Sequence, residues 1–172
     1  QSRCAVFRFR PLAEDQILEM VQEVAESEGL VLENHGAAAV VHVAMGDLRR
    51  AITALQVAAS LSNTITRDLV YETTATAPPE ELHAFLRSCQ EDGFQPSRMK
   101  MYAIIDRFGL AGTDIVNQLH RSLADVQFMT EREKLAVTEA MAEADFRLVE
   151  GGGESLQLDA LTARISTILK IN

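Results

Sequence analysis

Apolar residues recur at spacings of three and four almost from one end of the chain to the other, and that periodicity confines the fold to packed helices. Ile17, Met20, Val21 and Val24 form a first stripe behind an acidic turn at Glu14 and Asp15, with Gly29 placed to stop it. Ala37, Val40, Val41 and Ala44 predict a helix over 34–45, and Leu48, Ile52, Leu55 and Ala59 predict another over 47–61. Ser62, Asn63 and Thr64 then break the pattern, which predicts a domain boundary there. Beyond it, Thr66 opens a short helix to Tyr71. Pro78, Pro79, Glu80 and Glu81 start a helix that buries Leu82, Phe85, Leu86 and Cys89 and stops at Gly93. Further helices are expected over 96–108, from Thr113, and from the Thr130–Glu133 capping box to Leu148. Leu158, Leu161, Ile165 and Leu169 mark the last. The predicted fold is all-α, with a three-helix bundle over 1–64 and a five- or six-helix bundle over 65–172. The one β-type alternation, Val6 to Arg10, is closed by Pro11 and reads as a short extended connector.

Apolar residues make up 47% of the chain, enough for a buried core. The longest uncharged apolar run, Gly36 to Gly46, falls well short of the ~20 residues that cross a bilayer. The net charge of −9 argues against a broad phosphate-binding surface, because duplex binding needs a row of cations to displace counterions. The distribution is uneven: Arg3, Arg8 and Arg10 lie in the first ten residues with no acid among them. Cys4 and Cys89 are far apart and sit in no metal-ligand pattern, so no metal site is expected and a reducing cytoplasm fits best. A chain that opens on Gln1 and Ser2 with no apolar leader reads as a cut inside a longer protein.

No G-x-x-x-x-G-K-[ST] loop occurs in the sequence, so self-contained ATP hydrolysis is not expected. His35, His42, His83 and His120 have no His or Cys partner one turn away and read as solvated or core-edge residues. One local rule is broken. Asp47 is placed to cap the helix that Leu48 begins, yet Arg49 and Arg50 fill its first turn, where the macrodipole disfavours cations. Arg49 heads a polar face with Thr53, Gln56 and Ser60. The pair is either a solvated surface feature or, with free helix amides beside a guanidinium, an anion seat. The helix over 99–108 carries a second oddity. Met101, Ile104, Ile105 and Phe108 serve a core, while Met99 and Tyr102 extend the apolar arc beyond what one core needs, which predicts either a second burial partner for this helix or neighbouring helices of the same chain wrapping it from two sides.

Four motifs in order carry a resemblance. Ser2-Arg3-Cys4 followed by Val6-Phe7-Arg8-Phe9-Arg10-Pro11-Leu12 is similar to the Ser-Arg-Cys motif and Phe-Arg-Phe connector of archaeal-type replication factor C small subunits. Gly46-Asp47-Leu48-Arg49-Arg50-Ala51-Ile52 resembles their sensor 2 motif, with Thr53 where asparagine is common. Asp145-Phe146-Arg147-Leu148-Val149-Glu150-Gly151 and Leu156-Gln157-Leu158 resemble their collar sequence.

The resemblance implies a clamp-loader ATPase that uses ATP to load a ring-shaped sliding clamp onto primed DNA. This chain would be its AAA+ lid at 1–64, with the end of the ATPase core at 1–12, and its oligomerisation collar at 65–172. Arg3 would act as an arginine finger in a neighbouring subunit, and Arg49 would touch the γ-phosphate of its own subunit's ATP. ATP and Mg would belong to the parent protein, with none expected on this part alone. Partners would be other small and large clamp-loader subunits through the collar, and the clamp and primed DNA through the ATPase core. The reading from a different class is a free-standing all-α interaction scaffold in which Arg3 and Arg49 are ordinary surface residues.

Overall fold

A computed structural model describes residues 10–170. The chain divides into two compact units between Thr74 and Ala75. Of the expected connector from Val6 to Arg10, residues 6–9 lie outside the described residues.

In the first unit, α1 (Glu14–Ser27) leads to β1 (Val31–Leu32), α2 (Asn34–Ala44), α3 (Leu48–Ala59), β2 (Thr64–Ile65) and α4 (Arg67–Thr73). Ala13 has no side-chain oxygen to cap α1, and the Gln16 Oε1 accepts from the Ala13 amide instead, at 3.1 Å. Gly29 takes φ 68°, so the chain can turn back and the Leu30 amide donates to the Ala25 carbonyl at 2.8 Å. Ile17, Val21, Val40, Leu55 and Ile65 fill the core, and alanines hold much of the rest: Ala25, Ala37, Ala44, Ala51, Ala54 and Ala58 are buried. Small side chains let α2 and α3 approach closely. This rotates the buried face of α3 by one position, because Leu48, Ile52 and Ala59, expected inside, are only half-buried while Ala51, Ala54 and Ala58 are enclosed.

The boundary also differs from the expected one. Ser62–Thr64 does not end the unit but feeds β2, which pairs in parallel with β1 in the register Val31 to Thr64 and Leu32 to Ile65. The Thr66 hydroxyl then caps α4 by accepting from the Leu69 amide at 3.3 Å, and α4 packs on α2 and α3. Val70 and Tyr71 of α4 are buried, so a fourth short helix joins the expected three. Two-residue strands are too short to show alternation, which is why nothing in the sequence marks them.

The second unit holds α5 (Pro79–Glu91), α6 (Phe94–Phe108), α7 (Gly112–Ser122), a 3₁₀ turn (Leu123–Asp125), α8 (Glu131–Val149) and α9 (Glu154–Lys170). This is the all-α arrangement expected, with five α-helices. The capping box forms as read: the Glu133 amide donates to the Thr130 hydroxyl at 3.3 Å, and the Glu133 carboxylate accepts from the Thr130 amide at 2.7 Å. Leu158, Leu161, Ile165 and Leu169 are all buried, so α9 forms a central strut packed on α5, α6 and α8. Phe85, Leu86, Met101, Phe108, Ile115 and Leu119 close the core around it. Arg147 and Arg164 share Glu143, tying α8 to α9, and the Arg164 hydrogen bond, with the Arg147 charge next, holds the Glu143 carboxyl below the usual range. Among the described residues no helix is long and apolar enough to cross a membrane.

Candidate functional site

The turn between α2 and α3 gathers the residues that the sequence singles out. After Ala44 the chain passes through Met45 at φ 50° and Gly46 at φ 81°, two left-handed residues in succession. A side chain at Gly46 would be strained by that φ and would also meet Pro11, 2.6 Å from an added Cβ. The close approach lets the Leu12 amide donate to the Gly46 carbonyl at 2.9 Å. Segment 11–12 is thereby fastened to the turn that starts α3. Asp47 then adopts an extended backbone, φ −107° and ψ 108°, and its Oδ1 accepts from the Arg49 and Arg50 amides at 2.8 and 3.3 Å.

Those two bonds revise the anion-seat reading. The first amides of α3 are occupied by a carboxylate of the chain itself, so an incoming anion would meet the guanidinium and not a set of free helix amides. Arg49 and Arg50 are both exposed, and among the described residues neither guanidinium has an ion-pair partner. Thr53 sends its hydroxyl back to the Arg49 carbonyl at 2.8 Å, a helical back-bond that leaves the arginine head untouched. The arrangement is a preformed helix start bearing two solvent-facing cations, with a stable cap and no competing acid bound to them. Arg3 lies outside the described residues.

The histidines sit as read from sequence. His42 lies edge-on to Tyr71, with ring centroids 5.8 Å apart and its Nδ1 3.3 Å from the Tyr71 hydroxyl. The His83 Nε2 lies 3.2 Å from the Ser122 carbonyl oxygen. His35 and His120 are exposed. Among the described residues no three His, Cys, Asp or Glu side chains gather as a metal site would require. Cys89 is buried at the junction of α5, α6 and α9, and burial pushes its thiol up, away from the reactive thiolate.

The expected contact helix is α6, and here the structure separates two residues that the sequence grouped. Tyr102 packs on α9: its hydroxyl donates toward the Asp159 carboxylate at 3.1 Å and lies 3.2 Å from the Ser155 carbonyl, and Arg98 lies over its ring. The wide apolar arc is partly spent inside the chain. Met99 keeps its exposure. Sequence reasoning missed the outer face of α8, where Leu135, Phe146 and Val149 are also exposed. Their spacing of eleven and three residues was legible, but the buried stripe of the same helix competes with it.

Comparison with known proteins supplies the family. The profile of the replication factor C C-terminal domain matches residues 77–164, a little over half of the chain and nearly all of the second unit. A replication factor C small subunit of Methanocella arvoryzae is 43% identical over 163 residues, covering 95% of this chain and 50% of the relative. Replication factor C small subunits of Methanococcus maripaludis and Natronomonas pharaonis are 39% and 40% identical, covering 98% and 96% of this chain and 53% and 51% of theirs. The chain thus spans about half the length of the curated relatives it matches. Because the profile takes in more than half of the residues and coincides with a compact unit, the chain belongs to the replication factor C family, through its C-terminal domain.

Proposed function

We propose that the chain works as the lid and collar of a clamp-loader ATPase subunit, in which the first unit reports the state of bound ATP and the second holds subunits together. The observation that carries this reading is Arg49. It stands at the start of a capped helix, exposed and without an ion-pair partner among the described residues, inside a motif that resembles sensor 2, in a chain of the replication factor C family. An uncommitted guanidinium suits one terminal phosphate, since it offers several donors in a plane.

The donor set of these 172 residues fits only part of an ATP site. It offers a cation for the γ-phosphate but no phosphate-cradling loop in the sequence and, among the described residues, no cluster of metal-ligating acids, so ATP and Mg would be held mainly by the ATPase core of the longer parent protein. When bound, ATP supplies the phosphoryl group whose cleavage drives the cycle. In that cycle Arg49 meets its own subunit's nucleotide, so the lid shifts with nucleotide state. Arg3 acts across a subunit boundary, neutralising charge on the phosphoryl group in the neighbour's site. Other small and large subunits are the partners of the collar. The sliding clamp and primed DNA are engaged through the core, in keeping with a chain whose net charge of −9 offers little to a duplex, and the place of work is the cytoplasm.

Steady-state ATP turnover by the full-length parent in its assembled complex tests the sensor role. Arg49→Ala is expected to lower turnover by about tenfold or more, the loss of a charge-assisted contact made to the reacting phosphoryl group, and Arg49→Lys to restore only part of it. Turnover equal to that of the unchanged protein, with assembly intact, would contradict the reading.

A further inference from the structure

The chain passes from the first unit to the second between Thr74 and Ala75, and side chains tie down both sides of that passage. On the first side, α4 ends in two threonines that bond back to its own last turn. The Thr73 hydroxyl donates to the Leu69 carbonyl and the Thr74 hydroxyl to the Val70 carbonyl, each at 2.7 Å. On the second side, one side chain of α7 holds two backbone groups. The Gln118 Nε2 donates to the Ala75 carbonyl at 3.1 Å, and its Oε1 accepts from the Ala77 amide at 2.8 Å. A primary amide suits this task because it presents a donor and an acceptor side by side. Ala77 and Pro78 are buried, and Pro79 opens α5 directly after them.

Between the two ties stands Ala75, at φ 46°. The left-handed region is unfavourable for a residue with a Cβ, and Gly29, Gly46, Gly93, Gly109 and Gly151 take positive φ elsewhere in the chain. Here the position is filled by alanine. No glycine occurs between Gly46 and Gly93, so the junction lacks the residue that makes linkers flexible. A strained torsion persists where its surroundings hold it in place, and the paired bonds of Gln118 begin at the carbonyl of the strained residue itself.

We propose that Gln118 is a latch that makes residues 75–77 a rigid extension of the second unit. Bending between the units is then confined to Thr74 ψ and to the φ and ψ of Ala75, and it is stiff while the latch is closed. When the latch opens, Ala75 relaxes to the negative φ that L-residues favour, and the junction loosens. The latch rests on the geometry of the junction alone. That it passes shifts of the first unit on to the second, where a loose linker would absorb them, rests on the reading of the first unit as a lid that follows nucleotide state.

Double electron–electron resonance on this chain reads the stiffness as the width of a distance distribution. Spin labels go on Glu23→Cys of α1 and Glu139→Cys of α8, with Cys4→Ser, and the labelled chain is diluted in unlabelled chain. Both label sites are exposed and Cys89 is buried, so the labels enter only where intended. Gln118→Ala is expected to widen the distribution about twofold or more and to speed hydrogen exchange at the Ala77 amide about tenfold or more, with the helical circular dichroism unchanged. Gln118→Glu separates the two bonds, because at neutral pH its carboxylate accepts from the Ala77 amide but has no proton for the Ala75 carbonyl. It is expected to widen the distribution while Ala77 stays protected. Should Gln118→Ala unfold the second unit, Ala75→Val acts on the pivot without touching α7, since a β-branched residue resists positive φ, and it is expected to widen the distribution by itself. The latch is overturned if Gln118→Ala or Gln118→Glu keeps the width of the unchanged chain, or if Ala75→Val keeps it where Gln118→Ala does not fold. ATP turnover of the Arg49→Ala parent reads the lid and the distance width reads the latch, so either can fail while the other stands.

Discussion

Arg49 owes its availability to Asp47. A cation in the first turn of a helix is disfavoured by the dipole, and the carboxylate that accepts the Arg49 and Arg50 amides offsets that cost without forming an ion pair with either head group. The sequence exposed the broken rule because Asp47, Arg49 and Arg50 are contiguous. Asp47 was legible as the cap as well, and as that cap it takes the very amides an anion would have used. Tyr102 was harder to place, since its partners lie more than fifty residues away on α9. Burial raises its phenol above the ordinary value of about 10, with the hydrogen bond to Asp159 adding to the effect. The folded state therefore favours the protonated phenol, so the stability it contributes is complete below the unfolded value and is lost as pH rises through the higher folded value. Thermal melts between about pH 9 and pH 11.5 should show a falling limb that flattens in Tyr102→Phe, which at neutral pH should cost about 0.5–1.5 kcal/mol for its lost hydrogen bond. An alkaline limb of unchanged steepness in the variant would place its origin elsewhere.

The helices themselves could be read where large apolar residues carry the pattern. Leu82, Phe85, Leu86 and Cys89 of α5, and Leu158, Leu161, Ile165 and Leu169 of α9, are buried as their spacing requires. The reading slipped on α3 because close contact with an alanine-rich α2 favours the smallest side chains at the interface, so size misled where periodicity did not. The strand pair was invisible for a different reason: two residues on each side are too few to show alternation, although Gly36 of α2 lies directly against β2. A Cβ at Gly36 would collide with the Ile65 carbonyl of β2, a backbone atom that can move only by breaking the pairing with β1. Gly36→Ala should accordingly destabilise the chain by more than about 2 kcal/mol in urea unfolding, the overpacking penalty outweighing the helix propensity that alanine would add. Gly109→Ala is the contrasting case, because an added Cβ there meets nothing within 4 Å and only the left-handed φ of 63° resists it, so its cost should be about 1 kcal/mol. Equal costs for the two would mean that the helix–strand contact is not what holds Gly36 in place.

At the level of the whole chain, the division into two units was legible but its position was not. The polar run at Ser62–Thr64 looked like a linker, yet it serves a strand, and α4 carries the first unit on to Thr74. The family profile begins at residue 77, close to that later division. In the proposed function an exposed arginine of the first unit serves nucleotide sensing and the second unit serves assembly, within a complex of full-length subunits. The most direct measurement is ATP turnover in assembled complexes of that parent carrying Arg3→Ala, compared with mixed complexes in which the Arg3→Ala subunit sits beside one that supplies Arg3 but cannot bind ATP. The account predicts that Arg3→Ala throughout cuts turnover by roughly 10³-fold or more while ATP binding persists, and that the mixed complex recovers turnover at the sites served by the intact Arg3. Normal turnover in a fully assembled Arg3→Ala complex would contradict it.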